Sequence, residues 1–204
     1  MTVRAKPKRQ APYYELKELI NFIQEQKRSQ CLRLLNKNLM LFLMSAGSSH
    51  NHHEWAGGYL DHVREVMNIA CLLYDGSINA FMKYPFSLSD ALLVLFLHDL
   101  EKPWKYCGDD AIRARLKTKA ERYAFRMEKI IEYGITLTEQ QKSAIKYVEG
   151  EGDDYTPGKR VSDELAAFCH ICDVWSARIR YDSPKVGGDP WGGALRHSAM
   201  IARG

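Results

Sequence analysis

Apolar residues recur every three to four positions along nearly the whole chain, the spacing of helices that bury one face. Residues 13–28 and 31–44 carry this spacing, with Leu16, Leu19, Ile20 and Ile23 marking the first stripe. The stretch 45–54 is polar and rich in His, Ser and Asn, and reads as a loop. A third helix is expected over 57–74, with Leu60, Val63, Val66, Met67 and Ala70 on one side. Ser87-Leu88-Ser89-Asp90 has the form of a capping box, in which hydroxyl and carboxylate satisfy each other's backbone N–H groups. The segment it opens, 91–97, is apolar all round and therefore central. That helix is expected to reach Pro103, with His98 and Asp99 in its last turn. A charged helix over 110–133 has a polar surface and should lie outside. Thr138 to Gln141 forms a second capping box, opening a helix to about Val148. Residues 149–159 are acidic and Gly-rich, hence a loop, and Ser162 is expected to cap a last long helix reaching about Tyr181. The Gly-rich run 187–193 is loop-like and has no assigned place. Neither strand pairs nor repeats stand out, so the pattern predicts an all-α bundle.

Composition narrows the class. At 204 residues the chain is long enough for one domain with appendages: a basic flexible arm over 1–12 (Arg4, Lys6, Lys8, Arg9), a helical domain over 13–182, and a Gly-rich C-terminal segment over 183–204 packed on the same domain. A formal net charge of +4 suits a polyanionic ligand such as a nucleotide without demanding nucleic acid. The arm reads as a solubilising terminus. No apolar run approaches the roughly 18 residues of a membrane span, and the basic start has no apolar stretch behind it, so it is no secretory signal. Five cysteines, mostly within apolar helical segments, point to reduced thiols and a cytoplasmic protein. Cys169 and Cys172 have the spacing of half a zinc knuckle, but with no second pair they read as core.

The candidate chemistry lies in His62, His98-Asp99 and Asp173, each on an expected helix. Two imidazoles and two carboxylates suit a borderline or hard divalent ion, and Mn, Co, Fe, Ni, Zn and Mg all qualify. Neighbours on a helix point about 100° apart. His98 and Asp99 therefore share an ion only if it sits beside the helix near its end. An aspartate closing so apolar a helix is expensive to bury unpaired.

The surrounding words sharpen this. His52-His53-Glu54-Trp55-Ala56-Gly57-Gly58-Tyr59-Leu60-Asp61-His62 resembles the His-His-x-aromatic-x-Gly-Gly-Leu-Leu-Glu-His signature of one branch of the HD-domain phosphohydrolase superfamily, a branch that includes bacterial 3′–5′ exoribonucleases. Leu97-His98-Asp99-Leu100-Glu101-Lys102 is similar to that superfamily's Leu-His-Asp-Ile-Gly-Lys, with Glu101 in the Gly place. Ala144 to Gly150 and His170-Ile171-Cys172-Asp173 are similar to its Tyr-His-Glu-Gly and His-x-Ala-Asp words. The resemblance covers roughly residues 50 to 180. It implies an HD-type helical domain with the metal site at its centre, and His62, His98, Asp99 and Asp173 as ligands. Val148 stands where binuclear relatives often place a histidine, which favours one tightly held ion. His53, Glu149 and His170 leave room for a second, weaker ion or a held water.

The mechanism this implies is metal-assisted hydrolysis of phosphate esters or anhydrides. Asp99 ligates and orients the water, and Glu101 or Glu149 serves as general base or leaving-group acid. Lys102, one turn beyond His98, is the first phosphate contact, with Lys105, Arg64 and Arg178 behind it. Trp55, Trp104 and Tyr106 offer faces for a base, although a Trp beside a Pro also suits a packing plug. Glu101 alternatively reads as an exposed residue of its helix's last turn. The leading expectation is a nucleotide phosphohydrolase, either a deoxynucleoside triphosphate triphosphohydrolase or a 5′-nucleotidase. A 3′–5′ exonuclease on single-stranded RNA or DNA is the alternative, and a silent metal-binding scaffold the third. HD nucleotidases often assemble, so a homo-oligomer is a further expectation.

Overall fold

The computed structural model of the protein describes residues 12–49, 52–179, 191, 194, 196 and 197. The basic arm, most of the Gly-rich C-terminal segment and the expected helix end at Tyr181 lie outside them. Among the described residues the secondary structure is helical, without a strand, and no helix is long and apolar enough to cross a membrane.

The apolar run is the centre of the bundle, as its pattern predicts. Helix α5 (Leu88–Leu97) starts at the Ser87 capping box, and Ala91 through Leu97 are buried on every side. Burying each of these larger aliphatic side chains stabilises the fold by roughly 1.5–3 kcal/mol. Around it pack α4 (Gly58–Asn79), α9 (Glu139–Tyr147) and α10 (Glu164–Val174), with the short α1 (Leu16–Asn21) closing one end. α4 is unusual for a 22-residue helix, because every residue from Gly58 to Cys71 is buried, including Asp61, His62, Arg64, Glu65 and Asn68. Buried polar groups are tolerated only when partnered, so this helix must run through an internal polar network.

Several boundaries differ from the periodic reading. The first helical stretch divides into α1 and α2 (Glu25–Lys37), and α3 (Leu39–Met44) follows a further break at Asn38. Between α1 and α2, Ile23 turns into the core and the Gln24 N–H is taken by Ser89 Oγ at 2.8 Å. α5 stops at Leu97 rather than at Pro103, and Pro103 instead sits in the first turn of α6 (Lys102–Cys107), where a missing N–H costs nothing. The charged helix expected over 110–133 is two pieces, α7 (Asp110–Ala114) and α8 (Lys119–Glu132). Leu116 plunges into the core between them, and a Thr118–Glu121 capping box restarts the helix. The cap of α10 is Asp163, whose Oδ1 accepts from Ala166 N at 2.8 Å, and not Ser162. Beyond α10 the chain widens into a π turn over Trp175–Ile179.

Candidate metal centre

Three buried segments converge where α4, α5 and α10 meet. His62 comes from the second turn of α4, His98 caps the C-terminal end of α5, Asp99 follows in the turn after it, and Asp173 lies in the last turn of α10. His62 Nε2 is 3.3 Å from His98 Nε2, 3.4 Å from Asp99 Oδ2 and 3.1 Å from Asp173 Oδ1. His98 Nε2 is 3.2 Å from Asp99 Oδ2 and 3.7 Å from Asp173 Oδ1. Ligands held at about 2.1 Å from one ion stand roughly 3.0–3.4 Å apart, so these separations suit a single divalent cation.

The outer ring nitrogens decide which atoms face inward. His98 Nδ1 donates to the Leu95 carbonyl at 2.6 Å. His62 Nδ1 lies 3.1 Å from Ser176 Oγ, and that hydroxyl donates to Glu65 Oε2, also at 3.1 Å, so it accepts from His62. In the neutral rings both Nε2 atoms therefore carry lone pairs, and they face each other. Two opposed lone pairs flanked by two carboxylates call for a positive charge. Burial alone would lower the His98 pKa, yet Asp99 and Asp173 outweigh burial and hold it up at about 10. Both aspartates are depressed in turn, against their own burial, by His98 and by hydrogen bonds from the imidazoles, with Lys102 also lowering Asp99. The donor set fits a metal ion, with each imidazole anchored through its outer N–H as metal-binding histidines are.

Lys102, in the first turn of α6, places Nζ 2.5 Å from Asp99 Oδ2 and stays partly open to solvent, at 15% exposure. It is the lysine that pairs directly with a carboxylate of the centre. Arg126, from α8, reaches in from behind. Its Nη1 donates to the His98 carbonyl, and its Nε lies 3.1 Å from Glu101 Oε2, a contact of charges without hydrogen-bond alignment. Glu101 is therefore neither exposed nor poised over the centre. It is buried as the countercharge of Arg126, its pKa raised by burial against the pull of that guanidinium. The Tyr59 hydroxyl, buried and raised by burial and then by Asp99 and Glu101, has no hydrogen-bond partner among the described residues.

The remaining expected site residues divide. Arg64 is buried in a pairing with Glu15 (2.8 Å) and Asp61 (3.4 Å) and over the Tyr13 ring, so it holds the N-terminal segment and is withdrawn from any phosphate. Trp104 is a plug, edge-on to Phe42 and Phe125 beneath Lys129. Trp55 is half-buried and donates to Asp61 Oδ2 at 3.0 Å. Lys105 lies over the Tyr106 ring, while Glu149 and Arg178 are exposed. His170 donates from Nδ1 to the Val148 carbonyl at 2.6 Å and lines a cleft of about 630 Å³ with Tyr147, Gly150, Tyr155, Arg160 and Ser162. His53 joins His52 and His62 instead of Glu149 and His170.

His52 is the residue that the spacing argument passed over. Its ring lies 4.9 Å from that of His62, and its Nδ1 is 3.0 Å from His53 Nδ1. Burial lowers both, His52 to about 3 and His53 to about 4, so both rings are neutral. The available signal was Gly58 of the same word, with Gly47 ahead of it. A methyl on Gly58 would collide with the His53 carbonyl oxygen, and one on Gly47 would stand 2.7 Å from the His53 Cβ. These glycines let the loop press His53 against α4, at a left-handed φ of 52°.

Compared with protein-family models, with curated proteins and with solved structures, the chain matches none. The geometry thus stands on its own: a helical protein with a buried His/Asp cluster able to hold a metal ion.

Proposed function

We propose that this protein is a metal-dependent phosphohydrolase acting on nucleotides, of the deoxynucleoside triphosphate triphosphohydrolase or 5′-nucleotidase type. The observation that carries the reading is the convergence of His62, His98, Asp99 and Asp173 where α4, α5 and α10 meet, with the partly exposed Lys102 beside Asp99. The sequence words around these residues resemble the HD-domain superfamily, which supports the same reading.

A divalent ion bound there supplies Lewis-acid polarisation of a phosphoryl oxygen and lowers the pKa of a water. The chain's own groups do the rest. Lys102 keeps Asp99 ionised and offers its remaining N–H donors to a phosphoryl oxygen. Asp99 and Asp173 balance the charge of one divalent ion, so Lys102 is left to meet the anionic substrate. The Tyr147–His170 cleft begins one turn ahead of Asp173 on α10 and has a volume suited to a nucleoside. Tyr155, 57% exposed, gives it an aromatic face, and Arg160 a cation. Glu149, exposed at the end of α9, is the carboxylate left for proton transfer to the leaving group.

A 3′–5′ exonuclease is the second reading, favoured by one observation. The His-His…Gly-Gly word, similar to that of the exoribonuclease branch, wraps the centre through His53 and Gly58.

The test is phosphate release from all ribo- and deoxynucleotides with Mn, Co, Mg or Zn, run beside a single-stranded oligonucleotide. Inorganic phosphate, pyrophosphate or triphosphate from free nucleotides is expected. Mononucleotides from the oligomer alone would replace the first reading by the second, and an inert protein under every metal would overturn both.

A further inference from the structure

The cleft beside α10 holds one imidazole whose tautomer is fixed. His170 Nδ1 lies 2.6 Å from the Val148 carbonyl, and a carbonyl can only accept, so Nδ1 bears the proton. In the neutral ring Nε2 is then a bare acceptor, aimed by the backbone at the end of α9. It has no hydrogen-bond partner among the described residues, and the half-buried ring lines the cleft. We propose that His170 reads the sugar of the substrate, with Nε2 accepting the 3′-hydroxyl of a nucleotide. The proposal rests on the reading of this cleft as the nucleoside pocket.

The neighbouring polar groups of the lining are already committed. Glu151 Oε1 accepts from Val161 N (3.1 Å) and Ser162 N (2.8 Å), which pins the loop that walls the cleft. The Tyr147 hydroxyl donates to Asp154 Oδ2 and accepts from Lys146 Nζ, both at 3.0 Å. Arg160 can only donate. His170 is therefore an acceptor that calls for a donor from the ligand, and a sugar hydroxyl supplies one. Gly150 passes beside the ring at a φ of 96°, where a Cβ would stand 3.7 Å from His170 Cε1. The rim there is bare backbone, and a ligand can close on the imidazole.

Position along the helix selects the sugar over the base. His170 and Asp173, three residues apart, lie on one side of α10 and roughly 4.5 Å apart along its axis. A 5′-phosphate held at the centre places its attached sugar at that separation and sends the base outward, to Tyr155 and Arg160. Ribo- and deoxynucleotides share the 3′-hydroxyl and differ at the 2′ position, so the 3′ group is the one common to the proposed substrates. A nucleotide inside a strand is esterified at that oxygen and has no proton to donate. The cleft thus takes free nucleotides or the 3′ end of a strand.

Isothermal titration calorimetry with nucleoside 5′-monophosphates of all four bases tests this, in EDTA so that no metal-dependent turnover intervenes. The wild-type chain should bind the 2′-deoxy form about 3–10-fold more tightly than the 2′,3′-dideoxy form. His170→Phe should bind the two forms alike, with circular dichroism unchanged, and His170→Gln, which keeps an acceptor, should retain part of the preference. Equal binding of the two forms by the wild-type chain overturns the reading of the 3′-hydroxyl and leaves the nucleoside pocket standing. A preference that survives His170→Phe overturns the assignment to His170. Binding of no nucleotide overturns the pocket, and this inference with it.

Discussion

Replacing Arg126 by Met should be among the most damaging single changes outside the metal ligands. The guanidinium is 1% exposed and touches three acceptors: the His98 carbonyl, the Ile145 carbonyl at 3.5 Å and Glu101 Oε2 at 3.1 Å. Methionine fills much of the volume but leaves Glu101, itself 1% exposed, with no countercharge. Removing one member of a buried pair costs about 3–5 kcal/mol, whereas replacing both by groups of similar shape is often close to neutral. Arg126→Met should therefore lose about 3–5 kcal/mol, read by urea unfolding, which for a domain of this size is roughly 6–20 °C in Tm. The double variant Arg126→Met/Glu101→Gln should recover at least half of that loss. The deficit also depends on pH. Burial already raises the Glu101 pKa, and without Arg126 it rises further. A carboxyl whose folded pKa exceeds its unfolded value binds more protons in the native state, so stability falls as pH rises between the two. The single variant should consequently be closer to wild type at pH 5 than at pH 8. A cost under about 1 kcal/mol, or a double variant as unstable as the single, would refute the assignment of Arg126 as a buried structural charge.

Three further outcomes are expected. Asp99→Ala should abolish tight divalent binding in isothermal titration calorimetry while the helical circular dichroism persists. Ser176→Ala breaks the link from His62 Nδ1 to Glu65, and metal affinity should drop about 10–100-fold with little change in Tm. Asp90→Ala removes the capping-box carboxylate and the acceptor of Gln141 Nε2, costing roughly 0.5–1 kcal/mol by thermal unfolding. Burial opposes the charge on Asp90, but the Ser87 and Gln141 hydrogen bonds win and depress it. Its contribution is therefore present above the ordinary carboxylate range and lost as pH falls through the depressed value, and the variant should lack that acid-side loss.

The all-α architecture was legible because the signals were local. An unbroken apolar run marked α5, and the Ser87 and Thr138 capping boxes fixed two helix starts to the residue. The His62, His98-Asp99 and Asp173 set was legible because metal-ligand residue types are few. Partners far apart in sequence were not. Helix periodicity ran straight through Leu116 and placed the whole 110–133 segment outside, yet Arg126 is buried because Glu101 and two carbonyls on other elements receive it. Arg64 likewise read as a phosphate contact, because its partner Glu15 lies 49 positions away. His52 was hidden for another reason. Its place depends on how tightly a loop can fold over Gly47 and Gly58, which spacing does not report.

The Glu65 carboxylate has a consequence for the order in which the molecule matures. Beyond His53 and Ser176, its Oε1 faces Arg196 Nη2 at 3.4 Å, and that arginine also donates to the Tyr13 hydroxyl at 3.0 Å. Tyr13 in turn meets Trp191 edge-on, so both ends of the described chain close over the back of α4. The guanidinium that balances Glu65 is translated 131 positions after it. A nascent chain can assemble α4, α5 and α10 on the ribosome, but the carboxylate that orients His53 and His62 lacks this countercharge until residue 196 has emerged. Ion loading thus follows the emergence of residue 196, and loss of the Arg196 guanidinium will loosen His53 and His62 from behind the centre.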